Sequence, residues 1–371
     1  MDERMSLDLL AALIRVNSTS GSAGESEVLD YVRNWFTPRE SSTVNLSKDH
    51  QGKLNGLLVL PTAHSNESVL VFACHADVVP VGNSADWTSP PFKPTVNNGR
   101  LVGRGSSDMK SGLAAAMISI GHLHESAIPV ALAVSTGEEI GSVGASTIVD
   151  LIRDAQMSAG AIVIPESTNN KVLLGHRGAL WLSVETTGLA AHGSTPDRGQ
   201  NAILSMARIL TNVENIPLIT HPQLGAETVN VGTIDGGTVP NIVPDRARIR
   251  IDHRVVDSDL DRIVAWWREQ PSVSCVSVDL ALAPVWTAAD DPWVRSLPSE
   301  VLSTPAAYFT DASVFTESMP AVPIVVWGPG DPTAVHSANE SVDLALFEEA
   351  VRLYTDAGFD WQKRFSHPLQ Q

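Results

Sequence analysis

Side chains able to do acid–base or metal chemistry stand at the ends of apolar runs in this sequence. In "VLVFACHADVVPVG", Val69 to Cys74 form an apolar run that stops at His75 and Asp77. Polar groups at the end of a core strand need partners. Four other segments offer similar groups. Asp108 sits in the glycine-rich stretch "GRGSSDMKSG", and Glu138 and Glu139 sit in "STGEEIG" after the run Val130–Ser135. Glu166 follows Ala161–Ile164, and His336 lies in "GPGDPTAVHSANE" after a run ending at Trp327. In open α/β sheets ligands bind at the carboxyl ends of strands. Most of these segments taken singly have a bland reading, though the apolar lead-in to Glu166 disfavours free solvation there. His75 and Asp77 can cap a strand end, and Asp108 can cap a helix. The paired glutamates can be a solvated turn, and His336 a structural loop residue. Coincidence in all five segments is hard to sustain. His75 and Asp77 are two apart, so in an extended segment they share a face, and Asp77 can orient the imidazole. Two histidines with several carboxylates suit a divalent cation, zinc first, with manganese and cobalt as rivals. More carboxylates than one ion needs point to a two-metal centre, in which ions lie ~3.5–4 Å apart.

The elements that must position these groups follow from patterning. Strand candidates are Leu57–Leu60, Val69–Cys74, Val130–Ser135 and Ala161–Ile164, with helical stretches over Ser111–Glu125 and Ser142–Gln156. The alternation predicts an α/β layer with a largely parallel sheet flanked by helices. Residues 38 to 54 are polar and read as a loop and edge region. After Gly178 the rhythm changes to "WLSVETTG", "NAILSMARILTNV", "ETVNVGTI", "RARIRIDHRVV", "DSDLDRIVAWWREQ" and "VSCVSVDLAL". That order is β-α-β-β-α-β, the split-βαβ pattern, with an Asp/Ser cluster expected to cap its second helix. Residues 179–286 are therefore expected to form an inserted, ferredoxin-like α+β domain. Residues 1–178 and 287–371 are expected to form the metal-binding domain, closed by the helix "LALFEEAVRLYTDAG".

Composition narrows the partners. The 371 residues are 43% hydrophobic, which suits two sizeable cores. Lysine and arginine total 25 against 42 acids, a net charge of -17. That balance argues against nucleic acid or an anionic membrane as partner. Cys74 and Cys275 alone give no disulfide framework. The first residues lack the features of a signal peptide, and no apolar run approaches the ~18 residues of a membrane span. A cytoplasmic protein is the expectation. Gly103 and Gly105 give only G-x-G, and no Walker-type loop occurs, so a phosphate cradle is disfavoured.

Together these motifs resemble the metal-dependent amidohydrolase/exopeptidase family of acetylornithine deacetylase, succinyl-diaminopimelate desuccinylase, aminoacylase and glutamate carboxypeptidase. The matching segments are "HADVVPVG…W…PF…NNGRLVGRGSSDMKSG", "STGEEIGSVGA", "VIPES", "GHRGAL", "AAHGSTPDRGQNAI", "GGTVPNIVPDRARIRIDHR" and "GPGDPTAVHSANESV". The departures are small: "PES" stands where Glu-Pro is frequent, and Val335 precedes His336 where Ala is common. The resemblance implies a catalytic α/β domain interrupted by a smaller lid and dimerisation domain, and hence a homodimer. It implies His75, Asp108 and Glu166 on one metal, and Asp108, Glu139 and His336 on the other, with Asp108 bridging. Asp77 would orient His75, and Glu138 would be the general base acting on a water between the metals. His192, in "AAHGSTP", would stabilise the oxyanion of the tetrahedral intermediate across the dimer.

In "RARIRIDHR" one strand face is charged and the other largely apolar. Arg254 falls at the family's Asp-x-Arg position and is the candidate to clamp a substrate carboxylate. Asn241 and Arg177 are weaker candidates. The expected reaction is hydrolysis of the amide of an N-acyl amino acid, acetylornithine deacetylase-like first. Desuccinylase, aminoacylase and carboxypeptidase or dipeptidase chemistry on a short peptide are the alternatives. A catalytically silent ligand-binding relative is the alternative from another class.

Overall fold

The computed structural model describes residues 3–37, 43–48, 52, 54–60 and 67–365. The chain forms two compact units. One holds the chain up to Gly175, Trp286–Ala306 and the chain from Thr310. The other holds His176–Val285 and Ala307–Phe309. The divisions fall at 175/176 and 285/286 rather than 178/179 and 286/287, and three later residues rejoin the smaller unit.

In chain order the strands of the two main sheets are β1 (Thr43–Lys48), β2 (Leu54–Leu60), β3 (Ser68–His75), β4 (Val130–Ser135), β5 (Ser158–Ile164), β6 (Val172–Leu173), β7 (Gly178–Thr187), β8 (Thr228–Gly236), β9 (Arg246–Val255), β10 (Val273–Leu282), β11 (Val301–Leu302) and β12 (Ile324–Val326). The helices are α1 (Glu3–Arg15), α2 (Gly24–Phe36), α3 (Lys110–His124), α4 (Ala145–Asp154), α5 (Ala202–Leu210), α6 (Asp261–Arg268), α7 (Ala312–Ser318) and α8 (Leu344–Arg364).

The larger unit is an eight-stranded sheet ordered β1-β2-β4-β3-β5-β12-β6-β11. Its centre is parallel: β4 with β3, β3 with β5, and β5 with β12. Its β1–β2, β2–β4 and β12–β6 pairings are antiparallel. The central strands are apolar on both faces, because helices cover both sides of a parallel sheet. β4, "VALAVS", is buried at every position. α3 is buried nearly all round, consistent with a helix packed against the sheet, α1 and α8.

The polar stretch 38–54, read from sequence as loop and edge, contains β1 and the first residue of β2. Among the described residues Thr43–Lys48 pairs along one side and is the sheet's outermost strand, as the edge part of that reading expects. Residues 38–42, 49–51 and 53 lie outside the described residues.

The smaller unit is an antiparallel sheet ordered β8-β9-β7-β10, with elements in the order β-α-β-β-α-β. β9 alternates cleanly: Ala247, Ile249, Ile251 and His253 are buried, while Arg246 and Arg250 are exposed. The buried face joins Leu180, Leu182 and Val184 of β7 to Met206 and Ile209 of α5 and Ile263 and Trp267 of α6. Each such aliphatic or aromatic side chain contributes roughly 1.5–3 kcal/mol on burial. The expected side-chain cap of α6 is not made: Leu260 occupies that position, and Asp257 instead accepts from the Asp259 amide. Among the described residues no helix is long and apolar enough to cross a membrane.

Candidate metal centre

Neighbouring parallel strands deliver the ligand candidates at their carboxyl ends. β3 ends on His75 itself, and β4 ends at Ser135, three residues before Glu138. β5 leads through Pro165 to Glu166, and β12 leads into the loop that carries His336. Asp108 comes from the glycine-rich loop just ahead of α3. It caps no helix; Met109 holds that position without a side-chain cap. The Asp108–Met109 peptide is cis.

The other four side chains gather around Asp108. His75 Nε2 lies 3.2 Å from Asp108 Oδ1 and 3.1 Å from Glu166 Oε1. His336 Nε2 lies 3.2 Å from Asp108 Oδ2 and 3.0 Å from Glu139 Oε2. Asp108 thus presents one oxygen to each histidine, and each histidine has its own glutamate. Ligand atoms of His75, Asp108 and Glu139 all lie within 4.8 Å of one another. The halves differ in exposure: the His75 side chain is 1% exposed and the His336 side chain 53%.

Asp77 stands beside His75, as expected, and does more. His75 Nδ1 meets the Asp77 main-chain carbonyl at 3.0 Å, while the nearer Asp77 carboxylate oxygen is 3.5 Å away. The carboxylate also accepts from the backbone N–H groups of Glu138 (3.1 Å) and Glu139 (3.2 Å) and from the Ser20 hydroxyl (2.8 Å). Residue 77 therefore faces His75 with its carbonyl and its carboxylate, and the carboxylate also holds the Glu138–Glu139 turn.

Sequence reasoning missed three buried groups that hold this geometry. Glu340 is fully buried and accepts from Arg104 Nη1 (2.7 Å) and from the backbone N–H groups of Gly105 (3.0 Å), Ser107 (2.8 Å) and Asp108 (3.0 Å). It stands four residues after His336, so it clasps the Asp108 loop to the His336 loop. The "HSANE" segment was in view, but its glutamate had no apolar run to mark it. Lys110 is also fully buried and donates to the carbonyls of Leu13 and Val16 at the end of α1. Burial lowers its pKa to about 7, although Glu340 and Asp77 pull it upward. Asp311, which opens α7, accepts from Ser135 Oγ at 2.5 Å, just ahead of the glutamate turn. Burial raises its carboxyl to about 6.

In the smaller unit, His192 is exposed, and its Nδ1 meets the hydroxyl of Ser194 at 2.8 Å. Asn241 runs beside it: the Gly193 N–H donates to the Asn241 carbonyl at 2.8 Å, and His192 pairs with Ile242. Arg254 is held by Asp252, through Nε at 3.2 Å and Nη2 at 3.1 Å, and lies over the Phe309 ring at 5.2 Å. Arg177 donates to the Ala226 carbonyl at 2.9 Å. Cys74 is a buried free thiol and Cys275 an exposed one.

Residues 71–358 match peptidase family M20/M25/M40. The chain belongs to that family. A probable succinyl-diaminopimelate desuccinylase of Staphylococcus aureus (strain N315) is 24% identical over 97% of this chain and 98% of its own length. Among solved structures, the M20 family metallo-carboxypeptidase Sso-CP2 from Sulfolobus solfataricus superposes with a TM-score of 0.81 at 19% identity, covering 96% of this chain and 99% of that one. A dinuclear metal binding peptidase of the family from Bacillus subtilis gives a TM-score of 0.70 at 13% identity, covering 97% and 98%. This member of the M20/M25/M40 family is a metal-dependent hydrolase.

The donor set fits a divalent cation. A carbonyl can only accept, so His75 Nδ1 carries the proton in its bond to Asp77. His75 Nε2 then faces two carboxylate oxygens, which also only accept when ionised. In the neutral ring a lone pair faces those oxygens, and a divalent cation or a second ring proton relieves that repulsion. Glu139 Oε1 is buried with no hydrogen-bond partner among the described residues, another sign of an electrophile to be met there. The protein's own charges express the same frustration. Burial, then repulsion from Asp108, raises Glu166 to about 8 and moves Glu139 in the same direction. Burial also raises Glu138 well above the usual range, against the pull of His75 and with the help of Asp311. Hydrogen bonds to Asp108 and Glu139 raise His336 to about 10. Burial alone would lower His75, but its bonds to Asp108, Asp77 and Glu166 prevail and raise it.

Proposed function

We propose that this chain hydrolyses the amide bond of an N-acyl amino acid at a two-metal centre, releasing the free amino acid. The observation that carries the reading is the paired arrangement His75/Asp108/Glu166 and His336/Asp108/Glu139, with Glu138 beside it. The ions, zinc first with cobalt and manganese as rivals, would polarise the amide carbonyl and make water acidic enough to deprotonate near neutral pH.

Glu138 takes the proton from the attacking water and returns it to the leaving nitrogen, acting as base and then acid. Its burial and its anionic neighbours suit that cycle, because they make the carboxyl basic enough to hold a proton between the steps. Asp77 keeps Glu138 in place through its backbone N–H. His192 donates to the oxyanion that forms on the carbonyl. Arg254, preset by Asp252 and Phe309, offers its remaining N–H groups to the substrate carboxylate, with Asn241 and Arg177 as further polar contacts. The smaller unit serves as lid and dimerisation surface of a homodimer. A cytoplasmic location is part of this reading.

The acetyl group is the first candidate for the acyl part, on the resemblance of "HADVVPVG…W…PF" and "GPGD…H" to acetylornithine deacetylase. A second reading, desuccinylation, is favoured by the near full-length similarity to a probable succinyl-diaminopimelate desuccinylase. A panel of N-acetyl amino acids, N-succinyl amino acids and dipeptides, assayed with zinc, cobalt and manganese, separates the two. Hydrolysis confined to dipeptides would replace both readings by a peptidase. Tight metal binding without hydrolysis of any member would leave a silent relative.

A further inference from the structure

We propose that Ser194 fixes the tautomer of His192, so that the ring carries its proton on Nε2 and offers that N–H outward as a donor. The inference rests on the donor role given to His192 above and goes one step deeper, to the atom that donates and the residue that selects it.

The argument is one of donors and acceptors. The backbone N–H of Ser194 points at His192 Nδ1 from 3.2 Å. A backbone N–H cannot accept, so this long contact favours a lone pair on Nδ1 and the proton on Nε2, but at 3.2 Å it does not fix the tautomer by itself. The Ser194 hydroxyl lies 2.8 Å from the same nitrogen and, with Nδ1 acting as acceptor, donates to it. Two donors on one ring nitrogen leave no room for an Nδ1 proton. His192 Nε2 makes no hydrogen bond among the described residues, so its N–H is free for a ligand oxygen.

The loop is built to keep this arrangement. The Thr195 N–H closes a tight turn on the His192 carbonyl at 2.9 Å. On either side, Gly193 N–H donates to the Asn241 carbonyl (2.8 Å) and Val243 N–H to the Ala191 carbonyl (2.9 Å). A side chain at position 193 would sit 3.1 Å from the Asn241 backbone, so the close approach of the two segments suits glycine. The backbone that aims Ser194 at the imidazole is therefore tied down on both sides of it, at Ala191, His192, Gly193 and Thr195. Other tautomers would face an acceptor hydroxyl on one side at best and a repelling N–H on the other. A donor at Nε2 is what a developing negative oxygen needs.

The test reads the ring directly. Histidine-labelled full-length protein gives nitrogen resonances that separate protonated from unprotonated ring nitrogens, with His192 assigned by its loss in H192Q. Spectra are taken at a pH where the ring is neutral. Wild type should show His192 as the Nε2–H form. S194A, which keeps the backbone donor but loses the hydroxyl, should show a mixture, and S194T should restore the single form. Turnover should follow: kcat of S194A falls roughly 3- to 10-fold, the worth of one neutral hydrogen bond, with KM little changed, and S194T recovers it. An Nδ1–H form in wild type, or the same tautomer distribution in S194A as in wild type, overturns the proposal. The donor role of His192 is judged separately: full turnover by H192Q removes that role and leaves the tautomer reading to the spectra.

Discussion

At the scale of single residues, the site separates candidate cation ligands from groups that hold them in place. Glu138 and Glu139 are adjacent, yet only Glu139 faces His336. Glu138Gln keeps the shape and both backbone bonds to Asp77. It should lower kcat by about 10²- to 10⁴-fold, the usual worth of a general base, while metal content measured by elemental analysis stays at the wild-type level. Loss of metal in that variant would move Glu138 into the ligand set. Glu340 makes the opposite forecast. Its carboxylate neutralises the buried Arg104 and accepts from three backbone N–H groups around Asp108. Glu340Gln leaves that arginine unpaired and turns an amide N–H₂ toward N–H donors. Stability in urea should fall by about 3–5 kcal/mol, the cost of breaking a buried pair. A chelator should also strip metal from the variant faster than from wild type. Wild-type values in both measurements would show that the clasp is idle.

At the scale of elements, the centre depends on how closely the strand ends and α3 approach. Gly112, in the first turn of α3, lies against Pro165, where a Cβ would come 2.0 Å from the Pro165 carbonyl oxygen. That contact sets the distance between the Asp108 loop, which leads into α3, and Glu166, which follows Pro165. Gly112Ala must push the two apart. The expected cost is about 1–3 kcal/mol from overpacking, and turnover should drop along with metal content although no ligand is changed. Thermal unfolding and elemental analysis check both; a variant that unfolds earlier but keeps its full metal complement would mean the strain is absorbed elsewhere. The same closeness explains Gly328, whose missing side chain would meet the Glu166 carbonyl at 2.4 Å.

At the scale of the whole molecule, the smaller unit carries an acid-sensitive core. His253 is fully buried, and its Nε2 accepts from the Trp267 indole N–H at 2.9 Å. A protonated ring could not accept that bond, and burial lowers the histidine to about 4. The unfolded chain, with a histidine near 6.5, binds more protons between those values, so stability is full above about 6.5 and is lost as pH falls toward 4. The sum is on the order of 3 kcal/mol. His253Gln keeps an acceptor for Trp267 and removes the titration. Urea unfolding of the full chain at several pH values should show a shallower acid loss in this variant than in wild type. Parallel acid profiles would assign the loss to other groups.

Much of this was legible in the sequence. β3, β4 and β5 stood out because strands of a parallel sheet are apolar on both faces and end abruptly at polar ligand candidates. β9 stood out because an antiparallel strand covered on one side alternates. The ligand candidates stood out because His75, Glu138, Glu139 and Glu166 each follow such a strand. Short-range pattern could not reach Glu340, Lys110 or Asp311, whose partners lie far away in the chain, nor β1, whose polar residues suit an edge strand and a loop equally well. Nor did sharing a face with His75 say that the main-chain carbonyl of Asp77 would reach the imidazole as well as its carboxylate. The sequence by itself determined the residue types and the order in which strands hand them over, since both follow from local patterning. The tertiary structure alone decided that Asp108 gives one oxygen to each histidine, that Glu340 ties two distant loops together, and that Ser194 holds one nitrogen of His192. Those are distances between groups set by packing and by the need of every buried donor and acceptor for a partner, and spacing along the chain does not fix them.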